Sequence, residues 1–221
     1  MKNLLLTVIF LFLSVLAIAQ KEINTEFATK MNLAFQPLEK NRVPFGLLKD
    51  QAFEFTELAA YNGVVTDTNY VTPVTIKQIY NTLLSARIHD NASQFIQPDV
   101  YEQRWQANRT QGVITLSGLL FNYAQFKTDA VTSGKLQVIN NQFVDKYIGG
   151  TWQNPYDTKQ TFAIAPSVRK YKGYTFSIKI PSNLWLTNVT ETIQSIQIDA
   201  NDGLGYRTTT FEQNLSVAYT T

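Results

Sequence analysis

The chain has no cysteine and a single histidine in its 221 residues. Without thiols it can form no disulfide, thiolate nucleophile, Cys-based zinc site or lipidated N-terminal Cys. A Ser-His-Asp device would have to use the one imidazole, His89, and a zinc site would rest on carboxylates. His89 follows an expected helix end, where a surface cap near the last carbonyls is the simpler role. No G-x-S-x-G elbow is present, because Ser117-Gly118 lacks the first glycine and sits inside a strand pattern. Gly149-Gly150 has neither the spacing nor the following Lys of a phosphate loop. Charge is also sparse. Charged residues make up 16% of the chain, against a usual ~25%. A net charge of +2 gives no electrostatic case for nucleic acid or an anionic membrane surface. No internal repeat or low-complexity tract is visible.

What is present is core-forming material. Hydrophobic residues reach 44% and aromatics 13%, enough to rule out bulk disorder. The polar load falls on Asn, Gln and Thr, as is common in secreted β-rich proteins. The first nineteen residues read as a signal peptide: Lys2 is the basic n-region, Leu4 to Ile18 the apolar stretch, and Ala17-Ile18-Ala19 the cleavage site before Gln20. The apolar run is short for a membrane span, which needs about 20 residues, so no stable span is expected once the leader is removed. An exported chain without Cys suits a bacterial secreted, periplasmic or cell-surface protein. The Asn-x-Ser/Thr sequons at Asn91, Asn108, Asn188 and Asn214 then read as accidental.

The mature chain changes period near residue 111. Over 20–111 the pattern is helical. Phe27, Met31, Ala34, Phe35 and Leu38 recur at helical spacing, with Asn24 as N-cap and Pro37 as a break. Thr72 caps a second helix with Pro73 at its first position and a stripe of Ile76, Ile79, Tyr80, Leu83 and Leu84. A third starts at Pro98 and carries Val100, Tyr101 and Trp105, with Gly112 closing it. The aromatic-rich connection from Val43 to Gly63 is expected to pack down rather than float. From 112 to 221 the period is two. Strands are predicted at Val113–Phe126, Leu136–Val144, Thr161–Val168, Tyr174–Ile180, Ile193–Asp199 and Leu215–Tyr219, separated by Gly, Asn and Pro turns. The expected fold class is α+β: a helical segment followed by an immunoglobulin-like antiparallel β-sandwich. The last strand ends two residues before Thr221, which reads equally as a terminal strand or as a domain cut short.

Three groups of residues are candidate sites. Asp199, Asn201 and Asp202 in IDANDGLGYR could offer oxygens to calcium. The EF-hand pattern fails, because Thr210 stands where Glu should close the loop. Alternating residues on either side and Gly203 and Gly205 between them predict a hairpin turn. Asp50, Glu54 and Glu57 are the best carboxylate cluster, although three acids so close are usually a solvated face. Trp152, Tyr156 and Trp185, with Tyr171 and Tyr174 nearby, could stack on sugars; the rival role is core and corner packing, as in sandwiches that bury one Trp. No metal and no cofactor is expected.

The export signal, VPFGLLKDQAFEF, SARIHD, SGLLFNYAQF and DANDGLGYR together resemble the N-terminal region of large secreted proteins of Bacteroidetes, flavobacteria especially. DANDGLGYR is also similar to the D-x-x-D-G-x-G turn of PKD-like domains, where it is structural in most members. The resemblance implies a helical segment, a sandwich and further downstream domains, some hydrolase-like, and carries over no catalytic residue. The expected function is a non-catalytic binding or spacer module of a larger exported protein. The alternatives are a carbohydrate-binding module of a polysaccharide-degrading system and the non-catalytic part of a secreted hydrolase. Polysaccharide or other cell-surface components are the partners these readings imply.

Overall fold

The structure is a computed structural model that describes residues 26–88, 95–191 and 193–220. The signal peptide, Asn24 and His89 lie outside the described residues. The chain divides into two compact units, one running through Glu39 and resuming over Thr128–Pro155, the other comprising Lys40–Lys127 and Tyr156–Thr221. Residues 111 and 112 both fall in the second.

In the first unit, helix α1 spans residues 26–35 and stops where Pro37 can no longer continue it. Its apolar stripe ends in Phe35, whose ring meets Phe143 at 5.0 Å. The stretch from Leu136 to Val144, expected as one strand, folds back on itself. Asn140 and Asn141 take φ of 51° and 62°, the left-handed pair of a type I′ turn. They join β2 (Leu136–Ile139) to β3 (Gln142–Asp145). β4 (Tyr147–Ile148) and β5 (Thr151–Trp152) make a second hairpin around Gly149-Gly150.

The second unit is built on β1 (Val113–Phe126), which precedes β2 in the chain. Helices α2 (Pro73–Ser85) and α3 (Pro98–Ala107) start as expected at prolines, and Thr72 Oγ1 accepts the Thr75 N–H at 3.1 Å. Ile76, Ile79, Tyr80 and Leu83 of α2 and Tyr101 and Trp105 of α3 bury themselves on Leu119, Phe121 and Tyr123 of β1. Each such side chain contributes about 1.5–3 kcal/mol, so this face is the main core.

One edge of β1 pairs antiparallel with β6 (Tyr156–Pro166), from Leu116↔Pro166 to Phe126↔Tyr156. The other edge is shared. β7 (Thr175–Lys179) and β8 (Trp185–Thr187) both run parallel to it. The Asn188 side chain continues the ladder, its Oδ1 accepting the Asn122 N–H and its Nδ2 donating to the Asn122 carbonyl, both at 2.8 Å. Leu47 follows, its carbonyl accepting the Ala124 N–H at 2.8 Å. β9 (Ile196–Ile198) and β10 (Arg207–Thr209) form an antiparallel hairpin, and β11 (Leu215–Ala218) pairs with β7.

The α+β class is therefore as expected. The strands form one five-stranded sheet in the order β11-β7-β1-β6, with β8 also on β1, and three two-stranded sheets. That is a mixed pattern, where an all-antiparallel sandwich was expected. Alternation in sequence reports which residues face inward and carries no information about strand direction. The outer edge of β6 is closed as well. Tyr61 N–H, Asn69 Nδ2 and Val71 N–H donate to the carbonyls of Gln160, Phe162 and Ile164 at 2.7, 2.9 and 2.9 Å. These loop donors remove an open strand edge that would otherwise invite aggregation.

Candidate binding cleft

The sheet face opposite α2 and α3 carries Asn122 of β1 directly across from Gln160 of β6. Strand alternation puts these residues on the face that Leu119, Phe121 and Tyr123 leave. The two amides are joined, Gln160 Nε2 donating to Asn122 Oδ1 at 2.8 Å. Around them opens a cleft of about 390 Å³ lined by Phe45, Ala60, Tyr61, Asn62, Asn122, Thr158, Lys159 and Gln160. That volume falls within the range of roughly 300–1,000 Å³ common for small-molecule sites.

Phe45 and Tyr61 reach the cleft from opposite edges of the strand pair. Phe45 precedes Leu47, which pairs with β1, and Tyr61 is tied by its N–H to Gln160 on β6. The Tyr61 ring rests on Phe162 at 5.2 Å. Phe45 has backbone angles of φ 60° and ψ 3°, a left-handed conformation that costs a bulky L-residue about 1–3 kcal/mol. The residue is 46% exposed, so burial offsets little of that cost. The expectation that the Val43–Gly63 connection packs down holds for Leu47, Leu48 and Leu58, whereas Phe45, Phe53 and Phe55 stay exposed.

The aromatic residues singled out from sequence do not form a site together. Tyr156 is 3% exposed and stacks on Phe126 at 5.6 Å, so it offers no ring face to a ligand. Trp185 lies over Gly118 and beside Phe162 and Phe211 at 6.1 and 5.8 Å. Trp152 belongs to the other unit. It is half-buried, and its indole N–H donates to Asp145 Oδ1 at 2.7 Å. Asp145, itself buried, also accepts the Glu39 N–H at 2.6 Å, and Tyr147 hydroxyl bonds the Glu39 carboxylate. Trp152 thus anchors a local network. Tyr171 and Tyr174 remain exposed.

The Asp199–Gly205 loop is the connection of the β9–β10 hairpin, with Asn201, Gly203 and Gly205 at φ 54°, 84° and 66°. Asp199 Oδ1 accepts the Asn201 N–H at 2.7 Å and Asp202 Oδ1 the Leu204 N–H at 3.3 Å. Asp202 Oδ2 pairs with Arg207 at 2.6 Å, its side chain fully buried. Turn chemistry therefore engages Asp199 Oδ1 and both carboxylate oxygens of Asp202.

Among the acids, Glu54 pairs with Lys49 at 3.3 Å. Asp50 Oδ2 accepts the Phe126 N–H at 2.8 Å. Asp50 lies on an exposed turn, yet the protein atoms crowding its carboxyl push its pKa up, against the opposing pull of that N–H and of Lys49. Among the described residues no group of three or more His, Cys, Asp or Glu side chains could hold a metal ion. Nor is any helix among them long and apolar enough to cross a membrane.

No protein-family model, curated protein or solved structure matches the chain.

The cleft residues escaped the sequence reading. Asn122 looks like an ordinary outward residue of the predicted Val113–Phe126 strand and Gln160 stands just before the predicted Thr161–Val168 strand; only the β1–β6 register makes them partners. Phe45 carried a faint signal in Pro44-Phe45-Gly46, a turn that left an aromatic at its centre.

Proposed function

We propose that the chain is a non-catalytic binding module of an exported bacterial protein, and that it binds a small polar ligand or a segment of a larger one in the Asn122–Gln160 cleft. The observation behind this reading is the cleft itself: a hydrogen-bonded amide pair between two aromatic side chains, on a sheet whose β6 edge is closed. It is a concave site with a few convergent polar groups. Among the described residues its lining contains no carboxylate and no hydroxyl nucleophile with an adjacent base, which favours binding over catalysis.

Export rests on Lys2, the Leu4–Ile18 run and Ala17-Ile18-Ala19. N-terminal sequencing of secreted material should return Gln20 or a close neighbour; a retained Met1 would count against export. Bacteroidetes origin and a larger parent protein are part of the same proposal and rest on the sequence resemblance alone. An immunoglobulin-like β part is supported by the antiparallel β1–β6 and β7–β11 ladders and opposed by the parallel pairings of β7 and β8 with β1. A crystal structure would decide it by whether two sheets face each other.

The binding reading is tested by calorimetric and NMR screening of the mature chain against sugars, peptides and small polar solutes. The expected result is shifts at Asn122 and Gln160 for one class. Ester, peptide and glycoside turnover should be absent. A specific turnover lost in Asp50→Asn or Glu54→Gln would favour the hydrolase alternative.

A further inference from the structure

Phe45 holds a left-handed backbone at φ 60° with its ring still half open. Glycine would occupy that conformation freely, so a phenyl group there is unexplained by folding alone. The ring lines the same cleft as the amide pair. In that pair Gln160 Nε2 occupies Asn122 Oδ1. Asn122 Nδ2 and Gln160 Oε1 remain, one a donor and the other an acceptor, and neither is hydrogen-bonded to any of the described residues. The Asn122 backbone is itself clamped by Asn188, which fixes where its amide sits.

A donor and an acceptor in one cleft match two hydroxyls, each of which can both donate and accept. An exposed aromatic ring beside them matches the apolar C–H face of the ring bearing those hydroxyls. Charge argues against a cationic ligand: among the described residues the lining has no carboxylate, and its one charged residue is Lys159. We propose that the cleft binds a pyranose unit of a neutral glycan, with Phe45 as the stacking platform and Asn122 Nδ2 and Gln160 Oε1 reading two of its hydroxyls. This rests on the binding-module reading above and names its ligand class. It moves the sugar site away from Trp152, Tyr156 and Trp185.

The test is titration of the mature chain with neutral gluco-, xylo- and manno-oligosaccharides, with sorbitol as an open-chain polyol and pentaglycine as a peptide. Binding is followed by calorimetry and amide NMR. At least one oligosaccharide should bind and shift the Phe45, Asn122 and Gln160 signals. Phe45→Gly should weaken it about ten-fold, the upper end for loss of one stacked ring. The same variant should keep or raise the Tm, because glycine suits this φ; a binding loss at an unchanged measured Tm is then not misfolding. Gln160→Ala should weaken binding as well. Sugar binding untouched by Phe45→Gly, or sorbitol bound as tightly as the sugars, overturns the proposal and leaves the binding-module reading standing. Pentaglycine bound at the cleft in place of sugars does the same. No binding in this panel overturns the glycan proposal; no binding in the wider screen removes the module reading too.

Discussion

The ring of Trp185 lies so close over Gly118 that a Cβ built on the glycine would stand 2.3 Å from Trp185 Cζ3. Gly118 and Trp185 are register partners of β1 and β8. The glycine is needed here for space, since its φ is not positive. Gly118→Ala should therefore destabilise the fold by about 1–3 kcal/mol, the usual cost of overpacking. In the double variant with Trp185→Ala the alanine has room, so the two costs should be markedly less than additive in denaturant unfolding. Additive costs would show that the contact is not what constrains position 118.

Tyr101 supplies a pH prediction. Its hydroxyl sits 2.8 Å from Ser117 Oγ, which donates to the Leu184 carbonyl, also at 2.8 Å. Burial pushes the Tyr101 hydroxyl from 10.0 up to about 12, against the pull of its hydrogen bond to Ser117. The folded value is the higher one, so the folded state holds this proton more tightly. The stability linked to it is complete below about pH 10 and falls as pH rises toward about 12. Tyr101→Phe should cost about 0.5–1.5 kcal/mol at neutral pH through the lost hydrogen bond and should flatten the alkaline fall. Urea unfolding from pH 8 to 11.5 in both proteins measures it; equal alkaline slopes would refute the assignment.

Asp202 holds the β9–β10 loop through Leu204 N–H and Arg207. Asp202→Ala should leave the hairpin less protected against amide exchange between Ile196 and Thr209, at a cost of about 1–3 kcal/mol for the orphaned partners. Gly203→Val should also destabilise, since φ of 84° is closed to a β-branched residue. Millimolar calcium should not move the Tm. A rise of several degrees that Asp202→Ala abolishes would restore the calcium reading.

Asn188 acts as a piece of strand. Asn188→Ala removes both hydrogen bonds to the Asn122 backbone and should cost about 1–3 kcal/mol. The longer Asn188→Gln should not restore it, because the fit depends on reach. Thermal melts of the two variants check this. A wild-type melt for either would mean water replaces the clamp.

The helices and the long strand were legible because their signals are local. Thr72-Pro73 and Pro98 fix where α2 and α3 start, and alternation alone gives β1 its observed limits of Val113 and Phe126. The Leu136–Val144 stretch was misread as one strand. Its Asn-Asn pair carries the turn, and Asn is the non-glycine residue that most easily takes left-handed angles. The aromatic candidates were chosen for type and turn position, and burial decides whether such a ring is a platform. Tyr156 packs on Phe126 and Trp185 on Gly118, and neither relation is written in the residues next to them.

The sequence by itself determined the α+β class, the starts of α2 and α3, the β9–β10 hairpin, the lack of cysteine and the single histidine. Each depends on residue type or on neighbours within a few positions. The tertiary structure decided the direction of β7 and β8, the closing of the β6 edge by Tyr61, Asn69 and Val71, and the meeting of Asn122 with Gln160 beneath Phe45 and Tyr61. Periodicity records which face of an element is buried. It does not record which distant element will cover that face, or in what register.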